Sequence, residues 1–93
     1  MASIKRNYVP IPNASDGRFW CIDTAFVPIG VGCYETTVFE AIRLSNDDYD
    51  IDWDDLDMAY TYNKDAAIDA HGQMIKKWSN ITKEEALKRY DEQ

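Results

Sequence analysis

The sequence predicts an α+β fold: a small three-stranded antiparallel sheet packed on one face by one main helix, plus a short C-terminal helix. Three observations carry that expectation. Residues 18–27 and 33–43 are rich in aromatic and β-branched types and flank a Pro- and Gly-containing break. After Asn63, apolar side chains recur at three- and four-residue spacing. Thr82-Lys-Glu-Glu85 spells a capping box. Ninety-three residues make one domain, divided here into an irregular N-terminal arm, 1–17, and an α+β domain, 18–93, with an acidic loop at 44–57. The hydrophobic fraction of 45% is enough for a core and unlike that of a disordered chain.

The arm is read as irregular because Pro10 and Pro12 restrict the backbone and cannot donate ladder hydrogen bonds. Asn13 to Gly17 is turn chemistry. The first strand covers 18–27, with Trp20, Ile22, Thr24 and Phe26 on one face and Phe19, Cys21, Asp23, Ala25 and Val27 on the other. Pro28-Ile-Gly-Val-Gly32 interrupts it, and its two glycines supply the positive φ that a tight connection needs. The second strand covers 33–43. Its hairpin register places Cys21 opposite Val38 or Phe39, and Cys33 opposite Phe26 or Val27, so the two cysteines do not face each other. Both are expected to be reduced, buried thiols, in keeping with the absence of an N-terminal apolar export segment.

Residues 58–62, Met-Ala-Tyr-Thr-Tyr, make a short third strand. Asn63 caps a helix from Lys64 to about Ser79, with Asp65 in its first turn and Lys76 and Lys77 in its last. Ala67, Ala70, His71, Met74, Ile75 and Trp78 form its apolar stripe. Gly72 inside that helix costs about 1 kcal/mol against alanine, which suggests close packing there. The second helix runs from Thr82 to about Tyr90, with Ile81 set to staple onto Ala86 and with Ala86, Leu87 and Tyr90 as its apolar side.

Charge is distributed unevenly. The chain has 10 basic and 17 acidic residues, net −7. Seven of the acids are Asp47, Asp48, Asp50, Asp52, Asp54, Asp55 and Asp57, and without them ten acids face ten bases. Such density of like charge opposes compact local structure, so the segment reads as an exposed loop. Acidity argues against nucleic acid or an anionic membrane surface as direct partner and fits a basic protein surface. The apolar stretch Ala25–Val31 is far below the roughly 18 residues a membrane span needs.

Asp48-x-Asp50-x-Asp52 begins like a calcium loop, but Trp53 stands where that loop requires glycine and Ala59 where it requires glutamate. No metal or cofactor is expected. His71, the single histidine, lies on the helix stripe and reads as a core residue. General acid chemistry needs a desolvated carboxyl in a pocket, which nothing in the pattern supplies. No enzyme activity is expected. In an extended segment Asp48, Asp50, Asp52 and Asp54 share one side at about 6.5–7 Å intervals, close to the phosphate spacing of one nucleic-acid strand. Such a row fits the basic groove of a protein that handles nucleic acid. Tyr49 and Trp53 between the acids add aromatic contact area. The alternative for Trp53 is a ring folded back onto the sheet, and for the acids a loop that only solubilises.

Tyr34-Glu-Thr-Thr-Val-Phe39, Ile51-Asp-Trp53, Leu56-Asp57, Tyr62, Ala67, His71, Met74, Lys77 and Trp78 together resemble a pattern in small uncharacterised proteins encoded by bacteriophages and prophages. There a Tyr-Glu-Thr-x-Val-Phe strand precedes an acidic turn and an Ala-x-x-x-His-x-x-Met-x-x-Lys-Trp helix. The resemblance covers roughly half the chain, brings no catalytic residue with it, and implies a mobile-element origin and a bacterial cytoplasm. This chain departs from it in its longer aspartate run and in Gly72. The expectation is a non-enzymatic accessory protein that binds a basic host-protein surface through Asp48, Tyr49, Asp50, Asp52, Trp53 and Asp54, inhibiting by charge mimicry. The alternative is a small assembly protein, a homo-oligomer formed through a sheet edge or the helix stripe.

Overall fold

Both strands with the clearest alternation pair as an antiparallel hairpin, but the sheet they belong to is larger than expected. The computed structural model describes residues 3–91, with side chains through Lys88. Its elements are β1 (Ser3–Pro10), β2 (Arg18–Val27), β3 (Cys33–Arg43), β4 (Tyr49–Thr61), α1 (Lys64–Trp78) and α2 (Lys83–Asp91). The sheet has four antiparallel strands in the order β1-β2-β3-β4. The expected three-stranded sheet is therefore corrected to four, and two segments account for the change.

The first is the supposed irregular arm. Residues 3–10 pair with β2, with Tyr8 opposite Cys21 and Val9 opposite Trp20. Pro10 is tolerated because it ends an edge strand, where its missing N–H breaks no internal ladder. The second is the supposed acidic loop. Residues 49–61 form one continuous strand on β3, so the expected short strand at 58–62 is only its last part. The aspartates do not prevent this, because the ladder is made by backbone groups and the acidic side chains project into water.

β4 is irregular at its centre. Val38 pairs with Asp57 and Glu40 with Asp52, so Phe39 alone stands opposite residues 53–56. The bulge adds three residues, an odd number, and so reverses which positions face which side. Asp57 and Ala59 share a side with Val38 and Thr36. Beyond the bulge, Asp50 and Asp52 share that same side with Ile42 and Glu40.

Both helices lie on one face of the sheet. Trp20, Ile22, Val38, Met74, Trp78, Ile81 and Ala86 are buried together there, joined by Val9 and Ile11. Trp20 and Trp78 meet edge to face at 5.0 Å, and the Trp20 indole donates to the Ile81 carbonyl at 2.9 Å. The caps form as the sequence predicts. Asn63 accepts the Ala66 N–H at 2.8 Å. Thr82 and Glu85 cap each other reciprocally, each backbone N–H donating to the other's side chain at 3.2 Å. Of the expected helix stripe, Ala67, His71, Met74 and Trp78 are buried. Tyr90 lies outside the described side chains. Gly72 is exposed, and a Cβ there would meet nothing within 4 Å, so the expected close packing is absent. Phe26, which shares a face with the buried Trp20, Ile22 and Thr24, is itself 40% exposed, with its ring against Gly32.

The opposite face carries no helix and is covered by its own side chains. Tyr8 of β1 stacks on Tyr49 of β4 at 3.6 Å, and Phe19 meets Tyr49 edge-on at 5.5 Å. In a flat sheet β1 and β4 are about 14 Å apart, so both tyrosines reach across the face. Cys21 and Ala41, at 0% and 1% exposure, are buried on this side without a helix over them. Cys21 is a free thiol, as is Cys33, and sits opposite Phe39, while Cys33 sits opposite Val27, as the hairpin register implied; Cys21 is buried as expected, but Cys33, beside the β2–β3 turn, is only half-buried.

Candidate functional site

β4 is an edge strand, and the first half of it holds the residues of interest. The preceding turn closes with the Leu44 N–H donating to the Asp48 carbonyl at 2.7 Å, and Asp47 takes a positive φ of 66°. Asp and Asn tolerate that conformation better than other side chains. Asp48 is held in the turn, its carboxylate accepting from the Asn46 amide at 3.1 Å. The Asp52 carboxylate accepts the Asp54 N–H at 3.2 Å, a local bond that stabilises the start of the bulge.

The six residues singled out from the sequence do not form one surface. Asp50 and Asp52 point to the helix-bearing side, and a groove between β4 and α2 is lined by Asp52, Asp54, Leu56, Trp20, Ala86 and Leu87. Glu40 and Lys83 complete its wall and pair with each other. Glu40 also accepts from Arg18 at 3.3 Å, so it is neutralised from two sides. Tyr49 and Trp53 lie on the helix-free side. Trp53 packs edge-on against Phe39 at 5.1 Å, and the Arg6 guanidinium sits 5.6 Å from its ring centre. Trp53 nevertheless stays 61% exposed. It is folded back onto the sheet on one side and offered to solvent on the other. Asp48 borders a shallow depression on that side with Arg6, Tyr8, Tyr49 and Trp53.

Of the seven aspartates only Asp57 is in a salt bridge among the described residues; Asp48 and Asp52 make local hydrogen bonds within their own segment. The Asp57 Oδ2 accepts from Lys77 at 2.7 Å and from the Trp78 indole at 3.0 Å, and its Oδ1 accepts the Met58 N–H at 2.9 Å. Burial pushes this carboxyl up, but the Lys77 and Trp78 hydrogen bonds, the Lys77 charge and the Met58 N–H outweigh it. The net effect holds it below its usual range. Asp47, Asp48, Asp50, Asp52, Asp54 and Asp55 are all exposed, and none is in a salt bridge among the described residues.

Other polar groups are accounted for inside the fold. His71 is fully buried, with Nδ1 2.7 Å from Thr24 Oγ1 and Nε2 2.8 Å from Asn7 Oδ1. Thr24 in turn lies 2.7 Å from Thr36 Oγ1. One assignment of protons satisfies the chain: Thr36 donates to Thr24, Thr24 to His71 Nδ1, and His71 Nε2–H to Asn7. It ties α1 to three strands through a neutral imidazole. Burial lowers the His71 pKa, Lys5 lowers it further and Asp23 opposes them. His71 is thus the core histidine that its place on the stripe suggested. Cys21 is pushed up to about 11 by burial, with Arg6 opposing and Asp23 adding, so its thiol stays protonated. Asp23 itself is paired with Arg6 at 2.9 Å.

Among the described residues, no three His, Cys, Asp or Glu side chains come together as a metal site, and no helix is long and apolar enough to cross a membrane. The chain matches no family model, no curated protein and no solved structure.

Proposed function

We propose that this is a non-enzymatic binding protein that lays the Asp48–Asp55 part of its β4 edge along a basic surface of another protein. The observation that carries this reading is the set of six exposed aspartates, two in the turn before β4 and four on the first half of that edge strand, none of them in a salt bridge among the described residues. Exposed charge without a counter-charge is repelled by its neighbours and favours a partner that supplies one. Asp50 and Asp52, on one side of the strand, repeat at about 6.5–7 Å. That interval suits a groove built to hold a nucleic-acid backbone, and so a partner that handles nucleic acid. Trp53 adds an exposed aromatic on the other side of the same strand, where a partner's cation or apolar side chain has a ring to rest on. The sequence resemblance favours a bacterial cell as the setting and a host protein as the partner.

The test is a pull-down from bacterial lysate with the wild type and with Asp48, Asp50, Asp52 and Asp54 each changed to asparagine. The wild type should retain a basic partner that the variant loses, and the wild-type complex should dissociate at about 0.5 M salt, where exposed charges are screened. An identical set of partners for both proteins, or binding indifferent to salt, sinks the reading.

A further inference from the structure

Beside the β4 bulge, on the helix-bearing side of the sheet, a groove of about 200 Å³ lies open between the strand and α2. Part of its lining is apolar. Leu56 packs against the core, Ala86 is 5% exposed, and Leu87 is 53% exposed. Part is acidic. Asp52 and Asp54 are both exposed, and neither is in a salt bridge among the described residues. At roughly 30 Å³ for each water-sized atom, the space takes about six or seven of them. That is room for one long side chain, not for a helix or a strand.

A groove with an apolar part and an acidic part matches a ligand of the same two-part make-up. An alkylammonium is such a group: its methylene stem gains by leaving water for aliphatic side chains, while its charged head stays near carboxylates. The fold already holds one. Lys83 lines the groove and carries its ammonium to Glu40 of β3, which accepts from Arg18 as well. Glu40 is thereby satisfied and Lys83 engaged, which leaves Asp52 and Asp54 open to a further cation.

We infer that this groove takes a lysine side chain of the basic partner, its stem against Leu56, Ala86 and Leu87 and its ammonium at Asp52 and Asp54. The inference rests on the reading of the β4 edge as the site of a basic protein, and it names the side chain that enters it. Two features favour lysine over arginine. Trp20, the aromatic that lines the groove, is 0% exposed, so it opens no ring face for a guanidinium to stack on. The Asp52 Oδ1 already accepts the Asp54 N–H at 3.2 Å, which suits a point charge better than a two-pronged fork. The exposed ring of this strand, Trp53, packs on Phe39 on the other side of the sheet.

The test is NMR of the full chain, with leucine methyls and backbone amides observed, titrated to about 20 mM with the acetylated and amidated peptide Gly-Gly-Lys-Gly-Gly. Matching peptides carry norleucine, which keeps the stem without the charge, or arginine in place of lysine. The lysine peptide should shift the Leu56 and Leu87 methyls saturably, and the other two should bind at least about fivefold more weakly. Leu87→Lys changes an exposed position, so the fold is kept, and it puts the chain's own ammonium in the groove. That variant should bind the lysine peptide at least about tenfold more weakly. Asp69→Asn makes the same change of one charge at an exposed site on α1 and should alter binding less than about twofold. The inference is overturned if the two methyls do not move, if norleucine or arginine binds as well as lysine, or if Leu87→Lys binds like wild type. Lysine and arginine peptides that shift only the Asp48–Asp55 amides, and equally, overturn the groove while leaving the basic-surface reading intact; the lysate pull-down decides that reading by itself.

Discussion

Asp57→Ala should unfold this protein far more readily than the same change at any neighbouring aspartate. Asp57 is the one acid of the run that fixes β4 to α1, through Lys77, the Trp78 indole and its own strand's Met58 N–H. Trp78 is 2% exposed, so removing the carboxylate leaves a buried indole N–H without its acceptor. That costs about 1–3 kcal/mol. The Lys77 side chain is 46% exposed, and its pair with Asp57 contributes no more than about 0.5 kcal/mol after solvent screening. The total is roughly 1–3.5 kcal/mol, or about 5–25 °C in melting temperature for a domain of this length. Asp57→Asn keeps an acceptor for the indole and should cost less than about 1 kcal/mol. Asp54→Ala and Asp55→Ala remove only exposed, repelling charges and should fall within about 0.5 kcal/mol of wild type, on the stabilising side. Urea titrations followed by circular dichroism measure all four, provided the slope is unchanged so that the midpoint reports stability. Equal losses for Asp57→Ala and Asp54→Ala would refute the assignment.

The same clamp fixes a pH dependence. The Asp57 carboxyl is held below its ordinary value in the folded chain. A depressed folded pKa means that the unfolded chain takes up the proton first as pH falls. The contribution is therefore complete above the unfolded value of about 4 and is lost as pH drops through the folded one. Wild type should lose stability relative to Asp57→Asn only below about pH 4.

Two further outcomes follow from the helix. Gly72→Ala should raise stability by about 0.5–1 kcal/mol, because the new methyl meets nothing within 4 Å and the helix loses its most flexible residue; a lower melting temperature would mean that α1 needs the glycine. His71 should titrate below its usual 6.5 by NMR, since burial and Lys5 both disfavour the imidazolium. Its folded pKa is the lower one, so its contribution is present above about pH 6.5 and lost as pH falls below that. A titration midpoint at or above 6.5 would contradict the neutral hydrogen-bonded chain through Thr24 and Asn7.

What the sequence disclosed, and what it concealed, has particular causes. β2, β3 and both helices were legible because each carries its own local signal, in alternation, stripe or cap. β1 was hidden because its inward positions are not uniformly apolar. Asn7, between Lys5 and Val9, faces the helices to bond His71 64 residues away, and no local pattern announces that partner. β4 did carry a signal: Asp48-Tyr-Asp-Ile-Asp-Trp-Asp54 alternates strictly, the period of a strand with one wet side. Charge density outweighed that period in the reading as a loop, although repulsion between side chains that point into water does not compete with a backbone ladder. The three-residue bulge then scrambled the phase between Trp53 and Asp57, so no single alternation spans the strand. It also divided the site, sending Asp50 and Asp52 to one side and Tyr49 and Trp53 to the other. The helix stripe pointed correctly to His71 as a core residue. Nothing in the sequence pointed to Asp57 as the aspartate of the run that is tied to α1.

The placement of the six aspartates that have no salt bridge among the described residues bears on why they are there. An edge strand exposes unpaired backbone groups, and charged side chains guard it against pairing with another sheet. If guarding were the whole reason, acids would be needed wherever β4 is unpaired on its outer side. They are not distributed that way. Asp50, Asp52, Asp54 and Asp55 occupy the first part of the strand, Asp47 and Asp48 the turn before it, whereas Met58, Ala59, Tyr60 and Thr61 form the same outer edge with no charge. One or two charges suffice to spoil an edge, so the remaining four or five add repulsion with no gain in protection. Stability gained on neutralising Asp54 or Asp55 would measure that excess. If neutralising Asp54 or Asp55 does raise stability, edge protection alone does not explain the crowding of acids at one end of the strand, and the proposed basic partner is the reading that would. If it does not, the excess carries no cost and the placement argues for nothing beyond a guarded edge.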